Sequence, residues 1–290
     1  MSKHARLEAV VEMTESIPCA PLILPKLQRL LHGAHVTTQQ LQSIIDLDPG
    51  LATSVLRMAN SAYFARDQKC DSIANAILRL GTAALFRLAV TSRAGSWLNQ
   101  PIQGYGWEPG DLCRHSLCVA VAAEILSVST GLADPSVAYT AGLIHDVGKL
   151  ALAYANSDGL AEVIKLVPSP YPTWENAENA VLGYCSADVS KLLLHRWGFP
   201  NDLVEVGACY LHPSRAPTQN LNLVGIVHAA KSIATELGYG VGVDGYYFQV
   251  DEAALTDLNF TAGKLQACVP SIVEKMDTLV TPEGVIKALV

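Results

Sequence analysis

The 290-residue sequence has no run of basic residues and few charges for its length. Charged residues make up 16% of the chain, and 20 lysines and arginines against 27 aspartates and glutamates leave a formal net charge of −7. Such a chain has no general attraction for nucleic acid or anionic membranes, although a local basic patch remains open. We therefore expect neither a nucleic-acid partner nor a membrane partner.

Cysteine pairs of the CxxC type are also absent, and the seven cysteines are dispersed along the chain. An odd and scattered set is typical of reduced, mostly buried thiols in a cytoplasmic protein. The N-terminal residues are charged and lack the apolar core of a signal peptide. The most apolar stretches carry Arg87 and Glu124, and we predict that they fall short of a membrane span. The expectation is a soluble protein of the cytoplasm.

Strand-like alternation is nearly absent, and helical periodicity runs through the chain. Half of the residues are apolar, which allows a substantial core. The stretch NQPIQGYGWEPGD (99–111) is rich in glycine, proline and polar residues, so it is the best candidate for a boundary. The sequence predicts an all-α fold with an N-terminal helical bundle in residues 1–100 and a second helical bundle with a helical tail in residues 101–290.

Several residues are predicted to start or stop helices. Thr37 or Thr38 and Asp111 are predicted to cap the N-termini of helices. Asn60 is predicted to close a helix in the left-handed conformation, and Gly81 to follow the end of another.

The stretch GLIHDVGKL places His145 beside Asp146 in an otherwise apolar segment. We predict a helix that opens at Asp134 and continues through this pair. Adjacent helical residues point about 100° apart, so both side chains can reach one ion at the helix edge. Gly142 and Gly148 lie three positions from His145 on either side and leave room for a close approach. The alternative is a buried hydrogen bond between the two side chains that fixes helix packing.

His115 is predicted to face inward, because its helix presents apolar residues at the i+3, i+4, i+7 and i+11 positions. A buried histidine needs a polar partner, and a lone one is usually only hydrogen-bonded. Since His115 precedes the His-Asp pair by about 30 residues, it is a candidate third metal ligand.

His115, GLIHDVGKL and the later stretch LGYCSADVSKLLLHRWGFP together resemble the HD superfamily of metal-dependent phosphohydrolases. Two earlier stretches, LDPGLATSVLRMANSAYF and SIANAILRLG, resemble the N-terminal bundle of one branch, the HDOD (HD-related output) domains of bacterial signalling proteins. The resemblance covers roughly residues 17–238 as a single HDOD unit and assigns the HD-like bundle to residues 101–290. It implies an all-helical module of signal transduction, of a kind mostly regarded as non-enzymatic, that acts through protein contacts.

The resemblance also implies a set of metal ligands, which this sequence matches in part. The superfamily uses a His, a His-Asp pair and a later Asp. The first three fall on His115, His145 and Asp146, but the last falls on Ala230. Loss of a carboxylate removes both a ligand and its electrostatic attraction for the ion.

The related HD-GYP branch, which cleaves cyclic dinucleotides, adds further histidines. Here Ser186 stands at one of those positions, and only His212 remains of a later His-His pair. Ser186 is instead predicted to cap the helix that follows it. The resemblance therefore leaves a residual site of His115, His145, Asp146 and His212 that could hold a divalent metal weakly, without two-metal hydrolysis.

Three other side chains receive structural interpretations. His195 shares its helix face with charged residues, so we expect it to be exposed. His228 is able to point inward but has no partner at a suitable spacing. Lys149 could contact a phosphate beside the His-Asp pair, but a snorkelling surface lysine is the more common outcome and is the prediction here.

The sequence favours a non-catalytic signalling module that binds other signalling proteins and has no cofactor beyond a weakly held metal. His115, His145 and Asp146 either form a buried polar cluster that rigidifies the bundle or keep a residual metal or nucleotide pocket. The alternative function is a divergent HD phosphohydrolase that acts on a nucleotide or cyclic dinucleotide. A third hypothesis is a nucleic-acid-binding regulator, but the acidic charge balance argues against it.

Overall fold

Helices joined by turns and short loops make up the residues that the computed structural model describes. These are residues 2–14, 36–46, 49–61, 64, 70–98, 102, 104–167 and 169–279. No β-strand occurs within these ranges, and Ile102 and Trp107 form an isolated antiparallel bridge. The all-α prediction is confirmed.

The α-helices are α1 (Lys3–Thr14), α2 (Thr38–Ile45), α3 (Pro49–Ala59), α4 (Ile73–Leu98), α5 (Asp111–Thr130), α6 (Pro135–Ile144), α7 (Val147–Ala155), α8 (Ser157–Val163), α9 (Trp174–Leu182), α10 (Ser186–Arg196), α11 (Asn201–Cys209), α12 (Leu221–Glu236), α13 (Glu252–Asp257) and α14 (Ala262–Leu279). Short 3₁₀ helices span Ile164–Leu166 after α8, Pro213–Arg215 after α11 and Thr218–Asn220 before α12, and a longer one spans Val243–Tyr247.

Contacts divide the chain into two compact units. The larger comprises Met1–Pro18 and Leu98–Lys287, and the smaller comprises Cys19–Trp97 and Ala288–Val290. The boundary predicted from composition places α1 in the N-terminal bundle, whereas in the structure α1 packs against α7 and α10 of the larger unit. Val11 is fully buried there, and Lys3 Nζ lies 2.8 Å from Asp188 Oδ2.

In the smaller unit, three local predictions can be compared with the structure. Thr37 caps α2 as predicted, in a reciprocal capping box with Gln40. Gly81 adopts φ 74° and interrupts the helical path inside α4, as expected of a residue that follows a helix end. The prediction of a left-handed Asn60 is wrong. Its side chain instead accepts from the Cys70 N–H at 2.7 Å and donates to the Cys70 carbonyl at 2.8 Å.

In the larger unit, α5 is the central helix and packs against α6, α12 and α14. It is long and apolar enough to span a membrane by length and composition, with a mean hydropathy of 1.4. The prediction that no apolar stretch reaches this level is therefore wrong for α5. However, 78% of the window is buried inside the fold, and this burial accounts for its apolar composition.

The N-termini of α5 and α6 are capped in two different ways. Asp134 caps α6 as predicted, because its carboxylate accepts from the N–H groups of Ser136 and Val137. The predicted cap at Asp111 is wrong: Gly110 holds the cap position, and Asp111 is the first helical residue. The Asp111 carboxylate accepts from the Glu108 N–H at 2.9 Å and so supports the preceding turn.

Candidate functional site

Three of the predicted site residues meet in the interior of the larger unit. One possible ligand atom from each of His115, His145 and Asp146 lies within 4.8 Å of the other two. The exposed fraction is 3% for the His115 side chain and 0% for the other two. The inward orientation predicted for His115 is confirmed, and the cluster is closed to bulk solvent.

His145 and Asp146 lie at a junction between helices. The prediction of one helix through both is wrong, because α6 ends at Ile144 and α7 begins at Val147. Asp146 takes φ −99° and ψ 14°, outside the helical range. In a continuous helix, two adjacent side chains would point about 100° apart. The bend between α6 and α7 removes this constraint, so the side chains of His145 and Asp146 converge on one point.

Two glycines allow the junction to lie close to its neighbours. A Cβ on Gly142 would lie 2.8 Å from Ala120 Cα in α5, and a Cβ on Gly148 would lie 2.0 Å from the Ser186 carbonyl oxygen in α10. The close approach predicted at both glycines is confirmed. The junction is therefore wedged between the backbones of two helices.

Both histidines present Nε2 to the cluster. A carbonyl oxygen only accepts, so His145 Nδ1 donates to the Gly142 carbonyl at 2.7 Å, and His115 Nδ1 donates to the Tyr239 carbonyl at 3.1 Å. Burial lowers the pKa of both imidazoles, and a neutral ring with its proton on Nδ1 keeps a lone pair on Nε2. His145 Nε2 lies 3.2 Å from Asp146 Oδ2 and finds no hydrogen-bond donor among the described residues.

Lys231 extends its ammonium into this cluster. Its Nζ lies 3.2 Å from His115 Nε2 and 3.0 Å from Asp146 Oδ2, and only 4% of the side chain is exposed. Burial lowers the pKa of Lys231 to about 8, while Asp146 acts in the opposite direction. The preceding residue, Ala230, is fully buried. An ammonium thus occupies the space in which the resemblance predicts a metal ion.

Lys149 is the second cation of the cluster. Its Nζ lies 2.7 Å from Asp146 Oδ2 and 2.6 Å from Asp244 Oδ2. Asp244 also accepts from Trp107 Nε1 at 2.7 Å. Only 5% of the Lys149 side chain is exposed, so the prediction of a surface lysine is wrong. Two buried carboxylates within reach compensate its charge, which an apolar helix environment could not do.

Asp146 is the common acceptor of the network. The hydroxyl of Tyr210 donates to Oδ1, and both lysines donate to Oδ2. Burial alone would raise the pKa of Asp146, but Lys149 and Lys231 hold it well below the usual value. Two lysines and two aspartates together carry no net charge, so the network is compensated within the chain.

A second buried carboxylate, Glu178, lies beside this network. It accepts from the hydroxyl of Tyr105, from Trp174 Nε1 at 3.1 Å, and from the N–H and hydroxyl of Ser186 at 2.8 and 3.1 Å. Burial raises the pKa of Glu178 to about 7. The group is fully buried.

The role predicted for Ser186 is wrong. Cys185 is the N-cap of α10, and its N–H donates to the Asp188 carboxylate at 3.0 Å. Ser186 is the first helical residue, and its hydroxyl points to Glu178. It therefore connects α9 to α10.

The structure does not bring His212 into the cluster. His212 Nε2 donates to Glu175 Oε2, and Arg215 lies 3.4 Å from the other carboxylate oxygen of Glu175. This nitrogen is thus engaged with Glu175 and is not one of the three converging ligand atoms. Two other histidines match their interpretations: His195 is exposed, and His228 is buried, donating to the Tyr210 carbonyl and accepting from the Asp251 N–H.

A small pocket leads from the surface to the two lysines. Its volume is about 40 Å³. Its wall includes the buried Lys149, Lys231, Glu178 and Trp174 and the partly exposed Tyr247 and Phe248. A cavity of this size holds water or a small ion as it stands.

The three converging side chains do not fit a metal ion in the observed arrangement. Two imidazole nitrogens and a carboxylate are suitable ligand types. However, the Lys231 ammonium contacts two of these three ligands. At a separation of about 3 Å and an effective dielectric constant of about 20, an ammonium and a divalent ion repel each other by roughly 11 kcal/mol. The missing carboxylate at Ala230 removes the compensation for a second cation.

Sequence reasoning missed Lys231, Tyr210 and Asp244. Lys231 carried a usable signal, because it lies three residues after His228 on the apolar face of α12. A lysine at such a position needs a buried anion. Tyr210 and Asp244 carried no such signal.

Comparisons with known proteins show what the chain is similar to. The family model described as HDOD domain matches residues 17–213. An uncharacterized protein of Treponema pallidum (strain Nichols) is 22% identical over 223 residues, which cover 76% of this chain and 42% of that protein. The chain thus spans less than half the length of that relative.

Solved structures show the same fold at low sequence identity. An HDOD domain protein of unknown function from Geobacter sulfurreducens has a TM-score of 0.64 at 22% identity, covering 93% of this chain and 99% of that one. A signal transduction candidate from Marinobacter aquaeolei VT8 has a TM-score of 0.72 at 20% identity, over 95% and 63% of the chains. A phosphohydrolase candidate from Shewanella amazonensis SB2B has a TM-score of 0.67 at 24% identity, over 92% and 93%.

Proposed function

This chain belongs to the HDOD domain family, and from that premise we propose that it is a non-catalytic signal-transduction module that acts through contacts with other signalling proteins. We place it in the bacterial cytoplasm and assign it no resident cofactor and no nucleic-acid partner. In this proposal the residual HD site is a structural ion network that fixes the larger unit in one conformation.

The position of Lys231 carries the proposal. Its ammonium lies 3.0 Å from Asp146 Oδ2 and 3.2 Å from His115 Nε2. Metal-assisted hydrolysis needs an ion at such ligands together with an open position for water. An ammonium supplies neither a Lewis acid nor an activated hydroxide.

Burial of the cluster is a second support. His145 and Asp146 have no exposed side-chain surface, and the adjoining pocket offers about 40 Å³. A phosphodiester is larger than this cavity, and His145 and Asp146 offer it no exposed side-chain surface in the described conformation. A protein partner would instead bind the outer surface of a rigid bundle.

Hydrolysis of phosphodiesters by the intact protein provides the enzymatic test. Wild-type protein and His145→Gln, checked for equal folding by circular dichroism, are incubated with manganese or cobalt and with a chromogenic phosphodiester or cyclic dinucleotides. We expect the same background rate for both proteins. Metal-dependent turnover in the wild type that disappears in folded His145→Gln contradicts the proposal.

A cellular test addresses signalling without knowledge of the partner. The source organism receives the His145→Gln allele in place of the wild-type gene, and a deletion strain serves as the reference. At equal protein abundance, we expect the variant strain to keep the regulatory behaviour that the deletion loses. A variant strain that behaves like the deletion would favour the phosphohydrolase alternative.

A further inference from the structure

We propose that Lys231 is a built-in replacement for the metal ion of the HD site, and that its removal uncovers a three-ligand site for a divalent transition metal. The inference rests on the same Lys231 contacts as the proposed function, but it concerns metal binding, which is measured separately from signalling. A lysine that replaces a metal leaves the ligands in place, whereas a merely degenerate site loses their geometry.

The ligand geometry around Lys231 remains that of a cation site. His115 Nε2, His145 Nε2 and one oxygen of Asp146 lie within 4.8 Å of one another. The Lys231 ammonium donates to two of the three residues, at 3.2 Å to His115 and 3.0 Å to Asp146. A single ammonium on a flexible stem thus occupies the place where several protein ligands converge.

The orientation of the imidazoles is the second observation. Both rings donate from Nδ1 to a backbone carbonyl, at 2.7 Å for His145 and 3.1 Å for His115. This arrangement fixes the tautomer in metal-ligating histidines and leaves Nε2 free to coordinate. Hydrogen bonding within a core does not by itself require both imidazoles to have the same tautomer and to direct Nε2 toward the same point.

An unused lone pair provides the third observation. His145 Nε2 is fully buried and has no hydrogen-bond partner among the described residues. It lies 3.2 Å from Asp146 Oδ2, which is itself an acceptor. Such an unsatisfied group is unfavourable in a core. An ion able to bind several ligands at once would satisfy it, which the Lys231 ammonium does not do here.

Charge compensation explains why Lys231 and a metal exclude each other. Lys149 and Lys231 balance Asp146 and Asp244. Loss of Lys231 leaves one uncompensated negative charge and two free imidazole lone pairs. A divalent cation can then take the place of the Lys231 ammonium. In the wild type, the metal ion and the Lys231 ammonium would both have to bind the same oxygen of Asp146.

The test measures metal bound per chain, without any enzymatic assay. Wild type, Lys231→Ala, Lys149→Ala and Lys231→Ala/His145→Ala are purified without chelators, dialysed against cobalt or zinc and analysed by mass spectrometry. We expect about one equivalent in Lys231→Ala and a vanishing amount in the wild type. Lys149→Ala is the matched control, because it removes the other ammonium on Asp146 but keeps Lys231, and we expect it to bind no metal.

The double variant and two spectroscopic readouts locate the ion. We expect His145→Ala in the Lys231→Ala background to weaken binding by more than about 100-fold, beyond the loss typical of supporting residues. Cobalt should show the visible absorption of mixed nitrogen and oxygen ligands, and metal should raise the melting temperature of Lys231→Ala alone.

Each of the following outcomes would overturn the proposal. They are stoichiometric metal in the wild type at a site that needs His145, a folded Lys231→Ala without metal, metal binding that does not depend on His145, and binding by Lys149→Ala equal to that of Lys231→Ala. A Lys231→Ala protein that stays unfolded in saturating zinc also contradicts the proposal, since the metal must then replace the lost cation.

Discussion

At the scale of single residues, Asp146 determines the character of the buried site. Its two oxygens accept from one tyrosine and two lysines, and its side chain is fully buried. An ion network of this kind does not necessarily stabilise a fold relative to apolar residues, but breaking it from one side leaves charges without partners. Asp146 is therefore required mainly because Lys149 and Lys231 are present.

Replacement of Asp146 by asparagine should destabilise the protein strongly. We expect a loss of about 3–5 kcal/mol in the free energy of unfolding, since two buried ammonium groups lose their shared carboxylate. Urea unfolding at pH 7 measures it. The control is Glu162→Gln, which removes an exposed partner of Lys165 and should cost less than about 1 kcal/mol. Equal losses in the two variants would show that the network contributes nothing specific.

Glu178 should make stability depend on pH in a direction opposite to that of Asp146. Burial raises its pKa from the ordinary value of 4.5 to about 7, although hydrogen bonds from Tyr105 and Ser186 and the charge of Lys149 act against this. Between these two values the folded state retains a proton that the unfolded state has lost. Stability therefore decreases as pH rises from 4.5 to 7, by about 3 kcal/mol for this group.

The measurement compares unfolding free energies of the wild type and Glu178→Gln across this pH range. The other titratable groups that interact with Glu178, namely Tyr105, Tyr210, Cys185 and Lys149, are present in both proteins. We expect the difference, wild type minus variant, to fall steadily from pH 4.5 to 7 and to level off above. A difference that stays constant over this range would place the pKa of Glu178 near its ordinary value.

The sequence allowed prediction of part of this chemistry. His115, His145 and Asp146 could be identified because two of them are adjacent and the third lies on an apolar helix face. Lys231 and Tyr210 contact Asp146 from 85 and 64 residues away. No local sequence pattern encodes such contacts. The resemblance therefore predicted the three ligand residues, but the position of the Lys231 ammonium among them could be recognised only from the structure.

At the scale of secondary-structure elements, glycines decide how closely the helices approach. The helix ends at Thr37, Gly81 and Asp134 could be predicted because capping depends on local backbone geometry. The break between α6 and α7 could not, since its cause is contact with other helices. Gly148 is one of these contact points, and its N–H donates to Ser190 Oγ at 2.9 Å.

Gly148→Ala should separate α7 from α10. Its Cβ would lie 2.0 Å from the Ser186 carbonyl oxygen and 2.6 Å from the Ser190 nitrogen, so backbone must move. We expect a loss of about 3 kcal/mol or more in thermal or urea unfolding. Gly263→Ala in α14 is the matched control, because its Cβ meets no atom within 4 Å. That variant should gain up to about 1 kcal/mol. Similar effects of both substitutions contradict close packing at Gly148.

At the scale of the whole molecule, the first helix belongs to the unit formed by the later part of the chain. Val11 of α1 is fully buried, and α1 packs against α7 and α10, which also carry the site junction and Ser186. A domain boundary predicted from composition alone assigns helices that are adjacent in sequence to the same domain. Loop signals show where the chain leaves a helix, but they do not show which helices pack against each other. The sequence of α1 has no pronounced amphipathic pattern that would indicate which surface buries Val11.

Val11→Ala should therefore loosen helices more than 130 residues away in sequence. Removal of two buried methyl groups should cost about 2 kcal/mol, and hydrogen exchange should accelerate in Val147–Ala155 and Ser186–Arg196 while Pro49–Ala59 stays unchanged. Glu12→Ala, an exposed neighbour on the same helix, should change stability by less than about 0.5 kcal/mol. If Val11→Ala instead accelerates exchange in Pro49–Ala59 and leaves the two later helices unchanged, α1 packs with the smaller unit. In that case the ion network at Asp146 would be stabilised without any contribution from the N-terminal helix.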